Sequence, residues 1–358
     1  MNQTIAIGFA VYLLLILVVG IFTARYNKTL PDFFLAGRRL GPWIVALSER
    51  ASGQSGWLIL GLTGLAYATG LGDPSGTKLQ PAIWASIGGC SGVALSWILI
   101  AEKLRKETEQ LGALTLPRYF ELKFRGHDLA IRFVTTAIIV FCFIFYIAAQ
   151  FDAAGKSLEQ TFGFPHFTGI LLGASIMVFY TLMGGFFAVA WTDFFQGIIM
   201  LVTLVVLPLV ALAQIGGIGS LVDKVSSIDP EYLTLFGGRQ GWPLLSGVLS
   251  GLGIGLGYLG QPHVLIRYMS IRSVSDVGKA KSVAIVYAIL TYGGAVLMGI
   301  VALAYFGLGH FSDPEKMMPG LATAIFPAWF AGILILSLIH ISEPTRRYAI
   351  SYAVFCLK

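Results

Sequence analysis

Charge is the scarcest ingredient of this sequence. Only 12% of its 358 residues are Asp, Glu, Lys or Arg, against 56% hydrophobic, whereas a soluble domain carries about a quarter charged residues. That deficit, with a mean hydropathy of +0.79, excludes an ordinary water-soluble fold. Cysteine is nearly absent too. Cys90 and Cys142 lie inside apolar stretches and Cys356 lies in the final tail, so no disulfide framework or zinc spacing can be assembled. The five histidines include no i, i+4 pair able to hold a metal. Met1–Ala24 carries no charge, so the basic start and small-residue cleavage site of a signal peptide are missing.

What is present is a succession of long apolar runs. At about 20 residues per crossing, the length allows about ten membrane helices. Candidate spans are Ile5–Phe22, Trp43–Thr69, Pro81–Ile100, Phe133–Gln150, Thr168–Val189, Phe194–Ala213, Trp242–Leu265, Val283–Phe306 and Leu321–Leu336. Helices close their hydrogen bonds internally, as a bilayer demands. The net charge of +6 calls for no nucleic acid, because its distribution follows the positive-inside bias. Odd-numbered connections carry Arg25, Lys28, Arg38 and Arg39, then Lys103 to Arg125, then Arg267 to Lys281. Even-numbered ones carry only Lys78, Lys156, Lys224, Arg239 and Lys316. The odd connections are therefore expected in the cytoplasm and the N-terminus outside, in a multi-pass cell-membrane protein.

Two spans are chemically unlike anchors. The second holds Ser48-Glu49-Arg50-Ala51-Ser52-Gly53-Gln54-Ser55-Gly56-Trp57, and the seventh holds Ser250-Gly251-Leu252-Gly253-Ile254-Gly255-Leu256-Gly257-Tyr258-Leu259-Gly260-Gln261-Pro262-His263. They stand five spans apart and so run in opposite directions. Gly-interrupted helices at matching positions of two inverted repeats point to a transporter's central site. Broken helices free N–H groups for a carboxylate and carbonyls for a cation; the competing reading is close helix packing through small residues. The GxGxxG string at Gly255–Gly260 lacks the strand that a dinucleotide fingerprint requires. Glu49 and Arg50 are charges within a span, a costly placement that marks a gate or a pair. Being roughly 100° apart on the helix, they are expected to pair with other helices, or else to snorkel to water.

These residues resemble the sodium:solute symporter family, most closely its sodium/proline branch. The likeness is carried by Asp32–Arg38, by Ala51-Ser52 with Ser55-Gly56-Trp57, by Leu114–Pro117, by Gly184-Gly185 through Trp191-Thr192-Asp193 to Gln196, and by Gly257–His263. The resemblance implies an all-α membrane protein with an inverted repeat of five plus five helices and one extra N-terminal helix. The first repeat would occupy about 42–214 and an incomplete second about 241–335, within one transporter domain over 1–335. It implies a sodium site from Ala51 and Gln54 carbonyls near Ser55, completed by hydroxyls of the ninth helix. The solute would meet Ser55, Gly56, Trp57, Tyr146, Tyr258 and Gln261. Arg38, Glu49, Arg50 and Asp193 are expected in gating or coupling. Gly53 stands where that branch has aspartate, and Ile254 where it has tryptophan.

The final stretch, 336–358, resembles a translated sequencing-library adapter, and the parent gene is expected to continue past about Ile335. The function expected is sodium-coupled symport of a small organic solute, proline foremost, with no covalent chemistry and no organic cofactor. Another amino acid, a carboxylate or a sugar-like solute is the nearest alternative. A membrane-embedded enzyme would need more intramembrane catalytic groups than Glu49 and Arg50, and a channel would need a repeated pore motif. Partners are the solute and the lipid bilayer.

Overall fold

The computed structural model describes residues 14, 18–23, 25–26, 28–76, 80–124 and 128–341. Residues 14 and 18–23 are helical; the rest of the first expected span, and the tail from 342, lie outside the described residues. The helices are α1 Leu30–Leu35, α2 Pro42–Gly56, α3 Thr63–Thr69, α4 Ala82–Ser96, α5 Glu102–Gln110, α6 Leu116–Lys123, α7 Asp128–Phe162, α8 His166–Gln214, α9 Gly217–Ser226, α10 Gly241–Tyr258, α11 Pro262–Ser270, α12 Val274–Phe306, α13 Met317–Ile325 and α14 Ala328–Ile341. Wider π-helical turns at Trp57–Leu62 and Trp97–Ala101 join α2 to α3 and α4 to α5. No strand occurs among the described residues.

Four described stretches are long and apolar enough to cross a membrane: Ala82–Gln110, Leu129–Ala149, Gly185–Gln214 and Val274–Phe306. The pair α10–α11, bent by 42°, makes a fifth. The connections sort by parity. Among the odd ones, the Arg272 amide donates to Leu40 O, Arg105 Nε to Ile271 O at 2.6 Å and Arg38 Nη2 to Ala113 O at 2.9 Å. Among the even ones, the Leu71 amide donates to Tyr232 O, Arg239 Nε to Asp73 O at 3.0 Å and Lys156 Nζ to Glu315 Oε2 at 2.7 Å. Arginine and lysine thus concentrate at one end of the bundle, as the alternation predicted.

Four expected boundaries shift. The fifth and sixth spans are two helices within α8 that meet at a kink at Gly185 (φ 56°, ψ −157°) rather than at 190–193. Glycine alone adopts that conformation without strain, so Gly185 takes the bend that the Trp-Thr-Asp motif was expected to hold. The ninth span is two helices, because Pro327 follows an extended Phe326 (φ −105°, ψ 155°), as the residue before a proline prefers. The third and eighth spans run on into their polar flanks, to Gln110 and back to Val274.

α4 and α10 approach closely, glycine on glycine. A Cβ at Gly88 would lie 2.2 Å from Gly251 O, and one at Gly92 would lie 2.3 Å from Gly255 O. Two glycines one turn apart on α4 therefore receive two one turn apart on α10, the small-residue packing that membrane helices use. Gly253, by contrast, has open space around it. Close packing and interruption are both true of the seventh span, at different residues.

Candidate functional site

α2 is interrupted where the sequence is least like an anchor. Ser55 adopts φ 49°, ψ −167° inside an otherwise helical run. That region is essentially reserved for glycine and costs a non-glycine residue about 1–3 kcal/mol, a kind of strain found at functional sites. Ser55→Gly is accordingly expected to raise unfolding stability by about 1–3 kcal/mol, measured as the unfolding temperature of purified protein. An unchanged or lower temperature would show that Ser55 is not strained.

The second interruption meets the first. α10 ends at Tyr258, and α11 restarts at Pro262, a residue suited to a helix's first turn. The buried Tyr258 hydroxyl donates to Gly53 O at 3.0 Å and shares a 2.6 Å hydrogen bond with the Tyr292 hydroxyl of α12. Two of its hydrogen-bonding positions are thereby used in holding the two breaks and α12 together. Gln54 Nε2 donates to Thr291 Oγ1 of α12 at 2.7 Å, and its Oε1 is buried with no hydrogen-bond partner among the described residues. The Gln54 carbonyl accepts from the Trp57 amide.

Glu49 and Arg50 correct the expectation from helix geometry. They pair with each other, Arg50 Nε donating to Glu49 Oε2 at 2.5 Å, and both side chains are fully buried. The long arginine stem curls back across the 100° between neighbours, and neither group snorkels. Trp97 Nε1 donates to the same carboxylate at 3.0 Å, and the guanidinium carbon lies 5.5 Å from the Tyr258 ring centroid. A Cβ at Gly53 would sit 3.3 Å from Arg50 Nη2. The aspartate that the resemblance leads one to expect there would meet this guanidinium; in this chain Glu49 meets it.

One turn from the Ser55 break, Asp193 of α8 is fully buried in a network that crosses three helices. Its Oδ2 accepts from Arg267 Nη2 of α11 at 2.6 Å, and from Ser48 Oγ at 2.7 Å and Ser52 Oγ at 3.0 Å, both of α2. Arg267 Nε donates to Ser48 Oγ at 2.8 Å. Arg267 was counted among loop cations and its place here was missed. The signal was available: Pro262 opens a new helix, which carries Arg267 one turn beyond His263. Arg38 is not part of this site. Ala36, Gly37 and Arg38 all have positive φ, and that turn aims the guanidinium at Thr108 O and Ala113 O, tying two odd connections together.

The expected solute residues divide between two cavities. Tyr146 and Gln261 line one of about 670 Å³ between α6, α7 and the α10–α11 break; there the Tyr146 ring stacks on His263 at 5.5 Å. Gly56 and Trp57 line a smaller one of about 200 Å³, with Asp152, Lys156 and Glu315. Ser55 and Ala51 lie buried between. The one hydroxyl within the ninth expected span, Thr323, donates to Pro319 O and Gly320 O of its own helix. For a hard cation, which takes oxygen ligands, the fitting feature is the unpaired Gln54 oxygen beside the Ser55 break.

Interrupted helices joined at their breaks inside an all-helical bundle make this a transporter-type fold. The family model of the sodium:solute symporter family matches residues 33–340, and the chain belongs to that family. It is 35% identical over 326 residues to the high-affinity proline transporter of Bacillus subtilis (strain 168), covering 90% of this chain and 66% of that protein. It is 36% identical over 342 residues to a sodium/proline symporter of Staphylococcus aureus (strain USA300 / TCH1516), covering 94% of this chain and 64% of that protein. The chain thus spans about two thirds of the length of these relatives. Its fold superposes on a Na⁺-coupled sialic acid symporter in a substrate-bound outward-open state, with TM-score 0.82 and 17% identity, over 99% of this chain and 74% of the other.

Proposed function

We propose that this chain is the core of a secondary active transporter that couples sodium entry to uptake of a small zwitterionic solute, proline foremost. The observation that carries the proposal is the Tyr258 hydrogen bond to Gly53 O, which places the interruptions of two membrane helices against one another. Freed backbone groups at such a junction suit a cation on one side and a carboxylate on the other. The relatives named for sodium and proline support the choice of ion and solute.

In this reading the basic end faces the cytoplasm and the N-terminus lies outside. The first and partial second five-helix repeats occupy 42–214 and 241–335. Sodium is held at Ala51, Gln54 and Ser55. The solute lies across Ser55, Gly56 and Trp57 with Tyr146 and Gln261, while Tyr258 holds the two breaks in register. The Glu49–Arg50 pair fixes α2 to α4 and α10, so that these helices and α12 move as one block. The Asp193–Arg267 pair, with Ser48 and Ser52, locks that block to α8 on the cytoplasmic side. Release inward requires the lock to part.

Uptake of labelled proline by the full-length protein in proteoliposomes is the test. Accumulation above the external concentration, abolished when sodium is replaced by choline, is expected. Asp193→Asn in the same assay should retain sodium-dependent binding while uptake falls about tenfold or more, since removing one partner of a buried charge pair costs several kcal/mol. Passive or sodium-independent flux would sink the reading. Competition by other amino acids, carboxylates or sugars that exceeds competition by proline would reassign the solute.

A further inference from the structure

The second interruption leaves a carbonyl without its helical donor. In an unbroken helix Tyr258 O would accept from the amide four residues on, but that residue is Pro262, which has no N–H. The neighbouring helix supplies a donor instead. Ser96 of α4 donates its hydroxyl to Tyr258 O at 3.4 Å and accepts the Tyr268 hydroxyl of α11 at 3.0 Å. All three residues are buried. One hydroxyl of α4 therefore stands between the end of α10 and the helix that restarts beyond it.

The sequence of α4 explains how Ser96 reaches this point. Gly88, Gly92 and Ser96 are spaced four residues apart and so share one face of the helix. The first two meet Gly251 O and Gly255 O of α10, and the third comes level with the place where α10 ends. A serine within a helix commonly turns its hydroxyl onto its own preceding turn, as Ser91 does with Gly88 O at 2.9 Å; Ser96 points across to the break. Its partner is held as well. The Tyr268 ring meets Trp97 edge-on at 4.6 Å between centroids, and Trp97 Nε1 is fixed on Glu49 at 3.0 Å. Trp97 opens a π-helical turn, a feature frequent at functional sites. The first interruption has a matching neighbour, since the π-helical turn Trp57–Leu62 follows Ser55.

We propose that Ser96 is the positioning residue of the second interruption, its hydroxyl standing in for the N–H that Pro262 lacks and its direction set by Tyr268. The consequence for solute binding rests on the transport reading. Tyr258 is fixed at both ends, by its hydroxyl on Gly53 O and by its carbonyl on Ser96. Leu259, Gly260 and Gln261, which follow it, line the larger cavity, so the group that holds the Tyr258 carbonyl also sets how Gln261 faces that cavity. At 3.4 Å the contact is long for a hydroxyl donor. Donation from Tyr268 strengthens it, because linked hydrogen bonds polarise one another.

The test uses the full-length protein. In proteoliposomes, Ser96→Ala is expected to raise the proline concentration for half-maximal sodium-dependent uptake about fivefold, the size of one lost buried hydrogen bond, with the maximal rate little changed. Ser96→Thr keeps the hydroxyl and should return half-saturation towards the parent value. Tyr268→Phe should raise it by a smaller factor, and should add nothing to Ser96→Ala, since both act through one contact. Amide hydrogen exchange of the purified protein reads the same contact without transport: Ser96→Ala should speed exchange across 259–265 and leave the middle of α12 unchanged. Unchanged exchange in that segment overturns the proposal. Faster exchange beside an unchanged half-saturation overturns the positioning role and leaves Ser96 a fastener. Should Ser96→Ala fail to fold, Tyr268→Phe must shift both readings in the same direction, or the proposal falls. A parent without sodium-dependent uptake rejects the symporter reading alone, and exchange still decides whether Ser96 holds the turn.

Discussion

Glu49→Gln is expected to destabilise the protein by about 3–5 kcal/mol, because removing one partner of a buried pair strands the other charge. Arg50 is fully buried, and its ionised partner among the described residues is Glu49. Glutamine keeps nearly the same shape and can still accept from Trp97 Nε1, so the loss reports charge rather than volume. The unfolding temperature of purified protein measures it. Replacing both members, Glu49→Gln with Arg50→Met, should recover most of the loss, since exchanging a whole buried pair for uncharged side chains of similar size is often close to neutral. A single variant as stable as the parent would mean that the pair reaches water, restoring the snorkelling alternative. The double variant separates stability from movement. If it folds well but transports poorly, the ion pair serves the fixed spacing of α2, α4 and α10 in the moving block; if transport is normal, the pair is only a fastener.

Long-range order was legible in this sequence wherever a local rule sets it. Apolar length marked the spans, and the lysine and arginine alternation sorted the connections correctly into two ends, because both depend on composition alone. The interrupted second and seventh helices were visible because both carry glycines and small polar residues where an anchor would carry Leu, Ile and Val, and because Pro262 restarts the second of them. The failures occurred where two rules competed. At 190–193 the residues Ala190-Trp191-Thr192-Asp193 were expected to form a short connection, yet Gly185 absorbs the bend and Asp193 stays inside the helix because Arg267 neutralises it there. No local pattern announces a partner 74 residues away. Leu321–Leu336 carries no charge, and its hydropathy outweighed the signal of Pro327. Glu49 and Arg50 were misjudged because angular separation describes where Cβ atoms point, while an arginine stem is long enough to curl its guanidinium back across that angle. The candidate site divides the same way: its helices were readable, but the commitment of the Tyr258 hydroxyl to Gly53 and Tyr292 was not, since it requires knowing which helices touch.

Gly92→Ala should be among the most damaging methyl groups that can be added to this protein's glycine-rich spans. Its Cβ would lie 2.3 Å from Gly255 O and 2.4 Å from Gly255 Cα, and backbone atoms, unlike a side-chain tip, can yield only if α4 and α10 separate. Overpacking ordinarily costs about 1–3 kcal/mol, and a clash against main chain belongs at or above the top of that range. Gly253→Ala is the matched control on α10. It meets nothing within 4 Å, and in a helix interior alanine is favoured over glycine by about 1 kcal/mol, so this variant should be slightly more stable than the parent. The contrast separates a glycine that lets two helices touch from one on the same helix that touches nothing, which composition cannot do. It also bears on function. The α4–α10 spacing sets where α10 ends, and the end of α10 is what delivers the Tyr258 hydroxyl to Gly53. If Gly92→Ala loses stability and solute binding together while Gly253→Ala keeps both, the close contact is what aligns the two interruptions. Equal stability in the two variants would mean that α4 and α10 are not in glycine contact, and the alignment of the breaks would need another cause.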